Sequence, residues 1–104
     1  MIIEHRIYTV QHHRVGEWLQ HYKAAVPAAY QRAGIRLLLV AQNVIGNSTH
    51  VLTMLGYDSL AHREQTRVAF EQDPEFRQFV KDTTGMVLEV ENRIMRTTDF
   101  SPLN

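Results

Sequence analysis

Two apolar runs joined by a short polar turn constrain this chain more than anything else in it. Residues 36–45 read RLLLVAQNVI, residues 50–57 read HVLTMLGY, and Gly46-Asn47-Ser48 lies between them. Runs of this length rich in Val, Leu and Ile and broken by turn-forming residues predict a β-hairpin. Leu37 to Val40 and Val51 to Leu55 are apolar at odd and even positions alike, apart from Thr53. A strand with one wet face alternates; one that is apolar on both sides is covered on both. The hairpin therefore needs a partner layer above it and another below.

The remaining elements show how much cover the chain can supply. Residues 2–10 alternate and favour a strand, with Ile2, Glu4, Arg6, Tyr8 and Val10 on one face and Ile3, His5, Ile7 and Thr9 on the other. From residue 14 to 26 the period becomes helical: Val15, Trp18, Leu19, Tyr22 and Val26 form one apolar stripe. Pro27 lacks an amide hydrogen and is expected to kink or restart that helix, and Gly34 to stop it. Asp58 or Ser59 can cap a helix beginning at Leu60. Asp73 caps a second segment with Pro74 at its first position, where proline is tolerated, and Gly85 ends it. Residues 86–96 (MVLEVENRIMR) form the last strand, followed by a tail whose Phe100 and Pro102 are expected to pack on the body or on a neighbour.

The order β-α-β-β-α-β predicts a ferredoxin-like α+β fold: a four-stranded antiparallel sheet with helices on one face. The whole chain, 1–104, reads as a single domain, since 104 residues suit one core and no linker or repeat interrupts them. Helices on one face leave the other bare. An exposed apolar sheet face is what monomers avoid, so a face-to-face homodimer is expected.

Lys+Arg and Asp+Glu are both 11, giving a formal charge of zero. A neutral chain lacks the basic footprint of a nucleic-acid binder and the polybasic patch of a membrane-surface protein. No run of 18 residues is apolar enough to span a bilayer. There is no cysteine, which removes disulfides, thiolate metal sites and a cysteine nucleophile. A cytoplasmic protein is the resulting expectation. The five glycines are scattered, so no phosphate-cradling loop and no nucleotide cofactor is expected. No serine sits in a nucleophile-elbow context. His13, Glu17 and His21 are four residues apart, a spacing that can chelate zinc, but they fall opposite the apolar stripe, where a solvated ladder lacks supporting contacts. No metal site is assigned.

Several pieces in this order resemble the NIPSNAP family: Glu4-x-Arg6-x-Tyr8 on the opening strand, Tyr57-Asp58-Ser59-Leu60, Asp73-Pro74-Glu75, Glu91-Asn92-Arg93-Ile94, and the terminal Phe100-Ser101-Pro102-Leu103. The resemblance covers nearly the whole chain. It implies the dimeric α+β barrel, in which two ferredoxin-like sheets close around a common interior. The chain departs from the family pattern in its third strand, where Thr53 and Leu55 replace a common His and Trp. It departs again at Gly46-Asn47-Ser48-Thr49, where Gly-Pro-Leu-Asn is common.

The candidate site residues are Glu4, Arg6, Tyr8, Thr53, Tyr57, Glu91 and Arg93. Arg6 can hold an anionic group, Tyr8 can donate a hydrogen bond to it, and Glu4 can act as a base. Glu91 and Arg93 are expected to join the same pocket from the last strand. The competing reading is structural: Arg6 pairs with Glu4, Glu89 or Glu91 and merely holds the sheet. Two functional classes follow. One is a small-molecule binder, with cofactor-free oxygenase or lyase chemistry as its enzymatic form. The other is a non-catalytic interaction module in which the dimer is the product.

Overall fold

The computed structural model describes residues 1–104. Four strands and three helices occur in the order β1 (Ile2–Val10), α1 (Val15–Ala33), β2 (Arg36–Gln42), β3 (His50–Tyr57), α2 (Leu60–Glu71), α3 (Pro74–Asp82) and β4 (Val87–Arg96). The strands form one antiparallel sheet ordered β2-β3-β1-β4, so the opening strand lies at its centre. This is the expected ferredoxin-like α+β arrangement, with the second helix broken in two. The break is local chemistry. Asp73 accepts from the amides of Glu75 and Phe76, and Pro74 opens α3 where its missing amide hydrogen costs nothing. Ser59 caps α2 by accepting from the His62 amide.

The helices cover one sheet face only, and the molecule is 19 Å along its thinnest axis, about one sheet and one helix layer. The core fills the space between them. Trp18, Tyr22, Val26, Ala29 and Tyr30 descend from α1, Phe70 from α2 and Phe79 from α3. They meet Ile2, Val10, Val51, Leu55 and Tyr57 of the sheet. Tyr30 stacks on Phe70 with ring centroids 4.4 Å apart, and Phe70 lies 4.0 Å from Phe76.

Three expectations need correction and one is narrowed. α1 does not restart at Pro27 but runs through it to Ala33. Its stripe continues past the proline as Val26, Ala29 and Tyr30, all buried, and that burial outweighs one lost backbone bond. Gly34 does end it, in the left-handed conformation at φ 88°. β2 ends at Gln42, three residues early, because the Asn43 side chain donates to the Asn47 carbonyl and starts the turn there. His13 precedes α1 and has φ 71°, so the His13–Glu17–His21 ladder does not exist. Of the two placements expected for Phe100, the body is excluded, since the residue is 83% exposed in the protomer.

The uncovered face is built by register. Across the β2–β3 pair a bulge between Leu37 and Leu39 aligns Leu39 with Met54 and Ala41 with Leu52. The Leu38 side chain lies against Gly56, on this same face. A large side chain at Gly56 would collide with it. Leu39 is 40% exposed, and Val44 and Ile45 at the end of the hairpin are 99% and 94% exposed.

The core predicts a contrast measurable by urea denaturation. Phe70→Ala removes a ring packed between Tyr30 and Phe76 and is expected to cost about 3–5 kcal/mol. Val68→Ala, on the outer side of the same helix, is expected to stay within about 0.5 kcal/mol. Equal effects would show that the α1–α2–α3 cluster is not the stabilising core.

Candidate functional site

Glu4 is the centre of the polar interior. It stands on the middle strand, faces the helices and is completely buried. Its Oε1 accepts from the Tyr57 hydroxyl at 3.1 Å and from Arg63 Nε at 3.0 Å. Its Oε2 accepts from Arg6 Nη1 at 2.8 Å, Asn92 Nδ2 at 3.1 Å and Arg63 Nη2 at 3.3 Å. One carboxylate thereby ties together β1, β3, β4 and α2. Burial alone would push the Glu4 carboxyl up, but hydrogen bonds from Arg63, Arg6 and Asn92 outweigh it and hold the pKa at about 2. Burial disfavours the charged Arg6 as well, and its Tyr8 and Glu4 neighbours more than restore it. Burial and the Glu4 charge push the Tyr57 phenol up to about 12.

Next to this ion cluster is a recess of about 370 Å³ between the β1–β4 side of the sheet and the α1–α3 helices. Arg6 and Tyr8 line it from the sheet; Trp18, Phe76, Phe79 and Val80 line it from the helices. Arg6 Nε donates to the Tyr8 hydroxyl at 2.9 Å, and the Tyr8 and Trp18 ring centroids are 4.9 Å apart. Arg6 is the only charged side chain in the lining. Glu4 stands behind it. A larger recess of about 570 Å³ lies between the start of α2 and the C-terminal tail, remote from the ion cluster.

The structure brings together five of the seven sequence candidates. Glu4, Arg6 and Tyr8 share one face of β1, with Thr53 directly across from Arg6 and Tyr57 across from Ile2. Glu91 and Arg93 do not belong with them. β4 pairs Arg6 with Asn92 and Glu4 with Ile94, so Glu91 and Arg93 stand beside Ile7 and His5 on the helix-free face. There they are exposed and face each other at 3.4 Å. Side chains alternate along a strand, and a shift of one residue exchanges the faces. Composition marked β4 as polar; only the pairing decided which polar residues turn inward.

The structure also adds Arg63, Asn92 and Trp18. Arg63 had a visible signal, since Arg63, Thr66 and Phe70 follow helical spacing along the buried side of α2. Trp18 stands out in the sequence only as part of the apolar stripe of α1. Glu4 changes role as well. A carboxylate that accepts five hydrogen bonds and titrates near pH 2 is a poor proton acceptor at neutral pH, so it does not serve as a base.

The NIPSNAP family model matches residues 3–102. The chain belongs to the NIPSNAP family. A NIPSNAP family protein from Agrobacterium tumefaciens is 30% identical, with a TM-score of 0.91 over 99% of this chain and 98% of that one. An uncharacterized NIPSNAP domain protein from Burkholderia xenovorans shares 22% identity and a TM-score of 0.89 over 98% and 99% of the two chains. A putative antibiotic biosynthesis monooxygenase from Nitrosomonas europaea shares the fold, with a TM-score of 0.73 at 9% identity over 93% and 98% of the chains. Among curated proteins none matches. In this NIPSNAP chain Glu4, Arg6 and Tyr8 stand together on one face of β1. No helix in it is long and apolar enough to cross a membrane.

The sign of the pH dependence follows from the cluster. The folded-state pKa of Glu4 lies below its ordinary value of 4.5, so its stabilisation is complete above about pH 4.5 and fades as pH falls toward 2. Glu4→Gln leaves two arginines without their counter-charge and is expected to cost about 3 kcal/mol at pH 7. In chemical denaturation the gap between the two proteins should narrow steadily as pH drops from 4.5 toward 2. A gap independent of pH would mean that the carboxylate's charge is not what holds the strands and α2.

Proposed function

We propose that this NIPSNAP protein works as a cytoplasmic homodimer that binds a small organic molecule in the recess between the sheet and α1–α3. The observation that carries the binding reading is the recess floor. A guanidinium, fixed by Glu4 and Tyr8, stands in a cavity walled mostly by rings and aliphatic side chains, with Thr83 and Thr84 as its other polar side chains besides Tyr8. A few oriented polar groups inside an apolar concavity is the usual make-up of a small-molecule site, and 370 Å³ lies within the usual size range. Fixing Arg6 beforehand lowers the ordering cost of binding. Fold likeness to putative monooxygenases motivates the enzymatic alternative, but shared fold is only analogy. With Glu4 committed to five donors, binding is better supported than acid–base catalysis by that residue.

The dimer reading rests on the sheet's bare face. Leu38, Leu39, Ala41, Leu52 and Met54 form a contiguous apolar surface on β2 and β3, and Ile7 extends it on β1. A second sheet is cover of the right shape and chemistry. Nothing in the chain calls for an oxidising compartment, since it holds no cysteine.

The two parts separate experimentally. Light scattering is expected to give about twice the 12.1 kDa protomer mass, and Met54→Arg is expected to shift it to the protomer mass. In a thermal-shift screen of small organic molecules, ligands are expected to raise the transition of the wild-type protein. Val80→Trp, which fills the recess mouth, should abolish that rise without altering mass. Ligands that stabilise Val80→Trp equally bind elsewhere, and the recess would lose its role.

A further inference from the structure

The hydrogen-bonding groups around Arg6 are unbalanced in one direction. Arg6 uses Nε on Tyr8 and Nη1 on Glu4, while Nη2 donates to no protein group. The Tyr8 hydroxyl accepts from Arg6 and donates to nothing. Thr53, fully buried and directly across from Arg6, has no partner for its hydroxyl. Trp18, which lines the recess and is 1% exposed, has a buried indole N–H with no acceptor in the protein. A buried donor left without an acceptor costs about 1–3 kcal/mol. Thr53 is not part of the recess lining, so the free donors at the recess are Arg6 Nη2, the Tyr8 hydroxyl and the Trp18 indole N–H, and together they suit an acceptor from outside the chain. Thr83 and Thr84 at the opposite rim already donate to the Phe79, Val80 and Lys81 carbonyls.

Charge narrows the class. Two arginines, Arg6 and Arg63, flank the single carboxylate Glu4, and Asn92 and Tyr57 add only neutral donors. The cluster therefore holds one positive charge in excess, and the lining contains no acid to answer it. A single negative charge balances it. A dianion would bring a second charge that nothing in the recess meets, and a neutral acceptor would leave the guanidinium unanswered. The walls ask for a flat apolar body, since Tyr8, Trp18, Phe76 and Phe79 all present rings.

Resting on the ligand-binding reading above, we infer that the recess takes a planar monocarboxylate, an aromatic or conjugated monocarboxylic acid. Its carboxylate accepts from Arg6 Nη2 and the Tyr8 hydroxyl, and its ring lies among Trp18, Phe76 and Phe79. The bond from Nη2 is charge-assisted, and the Tyr8 hydroxyl gives the carboxylate a second donor.

Three probes of similar bulk test this on the wild-type protein: trans-cinnamate, its neutral amide, and phenyl phosphate as a dianion. Trp18 is the sole tryptophan, so its indole N–H cross-peak in a ¹H–¹⁵N spectrum reports recess occupancy without ambiguity. Cinnamate is expected to shift that peak in a saturable way, with the amide and phenyl phosphate at least about tenfold weaker. Tyr8→Phe keeps the Arg6–Glu4 pair and removes one donor to a charged group. It should weaken cinnamate by about 10- to 100-fold and leave the weak amide nearly unchanged. Amide or phosphate binding as tight as cinnamate would overturn the monocarboxylate assignment while leaving a ligand site in place. An indole peak that no small molecule of any class moves would overturn the recess reading itself. The acid–amide comparison needs no variant, so it stands even if Tyr8→Phe folds poorly.

Discussion

The carboxylate of Glu4 is the contact on which the rest of the interior depends. A charge in the middle of a sheet is costly unless every lone pair is answered. Here five donors from three strands and one helix answer it. The same contacts that make burial tolerable set the alignment of β4 and the angle of α2. Asn92 reaches Glu4 only if β4 pairs Arg6 with Asn92, and Arg63 reaches it only if α2 crosses the sheet as it does. An apolar residue at position 4 would pack, but it would not select among strand registers or helix positions that bury similar area.

That cluster also explains why the recess has the chemistry it has. Arg6 is held on one side by Glu4 and on the other by Tyr8, so its remaining edge is presented without freedom to turn away. Its counter-charge is shared with Arg63, which leaves the region positive by one unit. Structure and site are thus one network. The reading of Arg6 as a structural partner of Glu4 and the reading of Arg6 as a ligand contact are both served by different nitrogens of the same guanidinium.

The two faces of the sheet divide the work. The helix side holds the core, the ion cluster and the recess. The bare side holds the apolar β2–β3 surface and, beyond β1, the solvated Glu91–Arg93 pair of β4. Face assignment comes from hydrogen-bond register, which the bulges at Leu37/Leu39 and Thr9/Val10 adjust locally. Hence Leu38 and Leu39, neighbours in the chain, both contribute to the bare side.

Local chemistry was enough to determine the element order, the caps at Ser59 and Asp73, the stop at Gly34 and the row Glu4–Arg6–Tyr8. Each depends on a residue and its near neighbours, where helical and strand periods act directly. The resemblance in motif order carried the family. The continuity of α1 through Pro27, the early end of β2, the outward turn of Glu91 and Arg93, and the recruitment of Arg63, Asn92 and Trp18 required the assembled molecule. Those outcomes depend on which strand pairs with which, and in what register, across as many as 88 residues of chain. Alternation along a strand tells which residues share a face; only contact with a distant strand or helix tells which face turns inward.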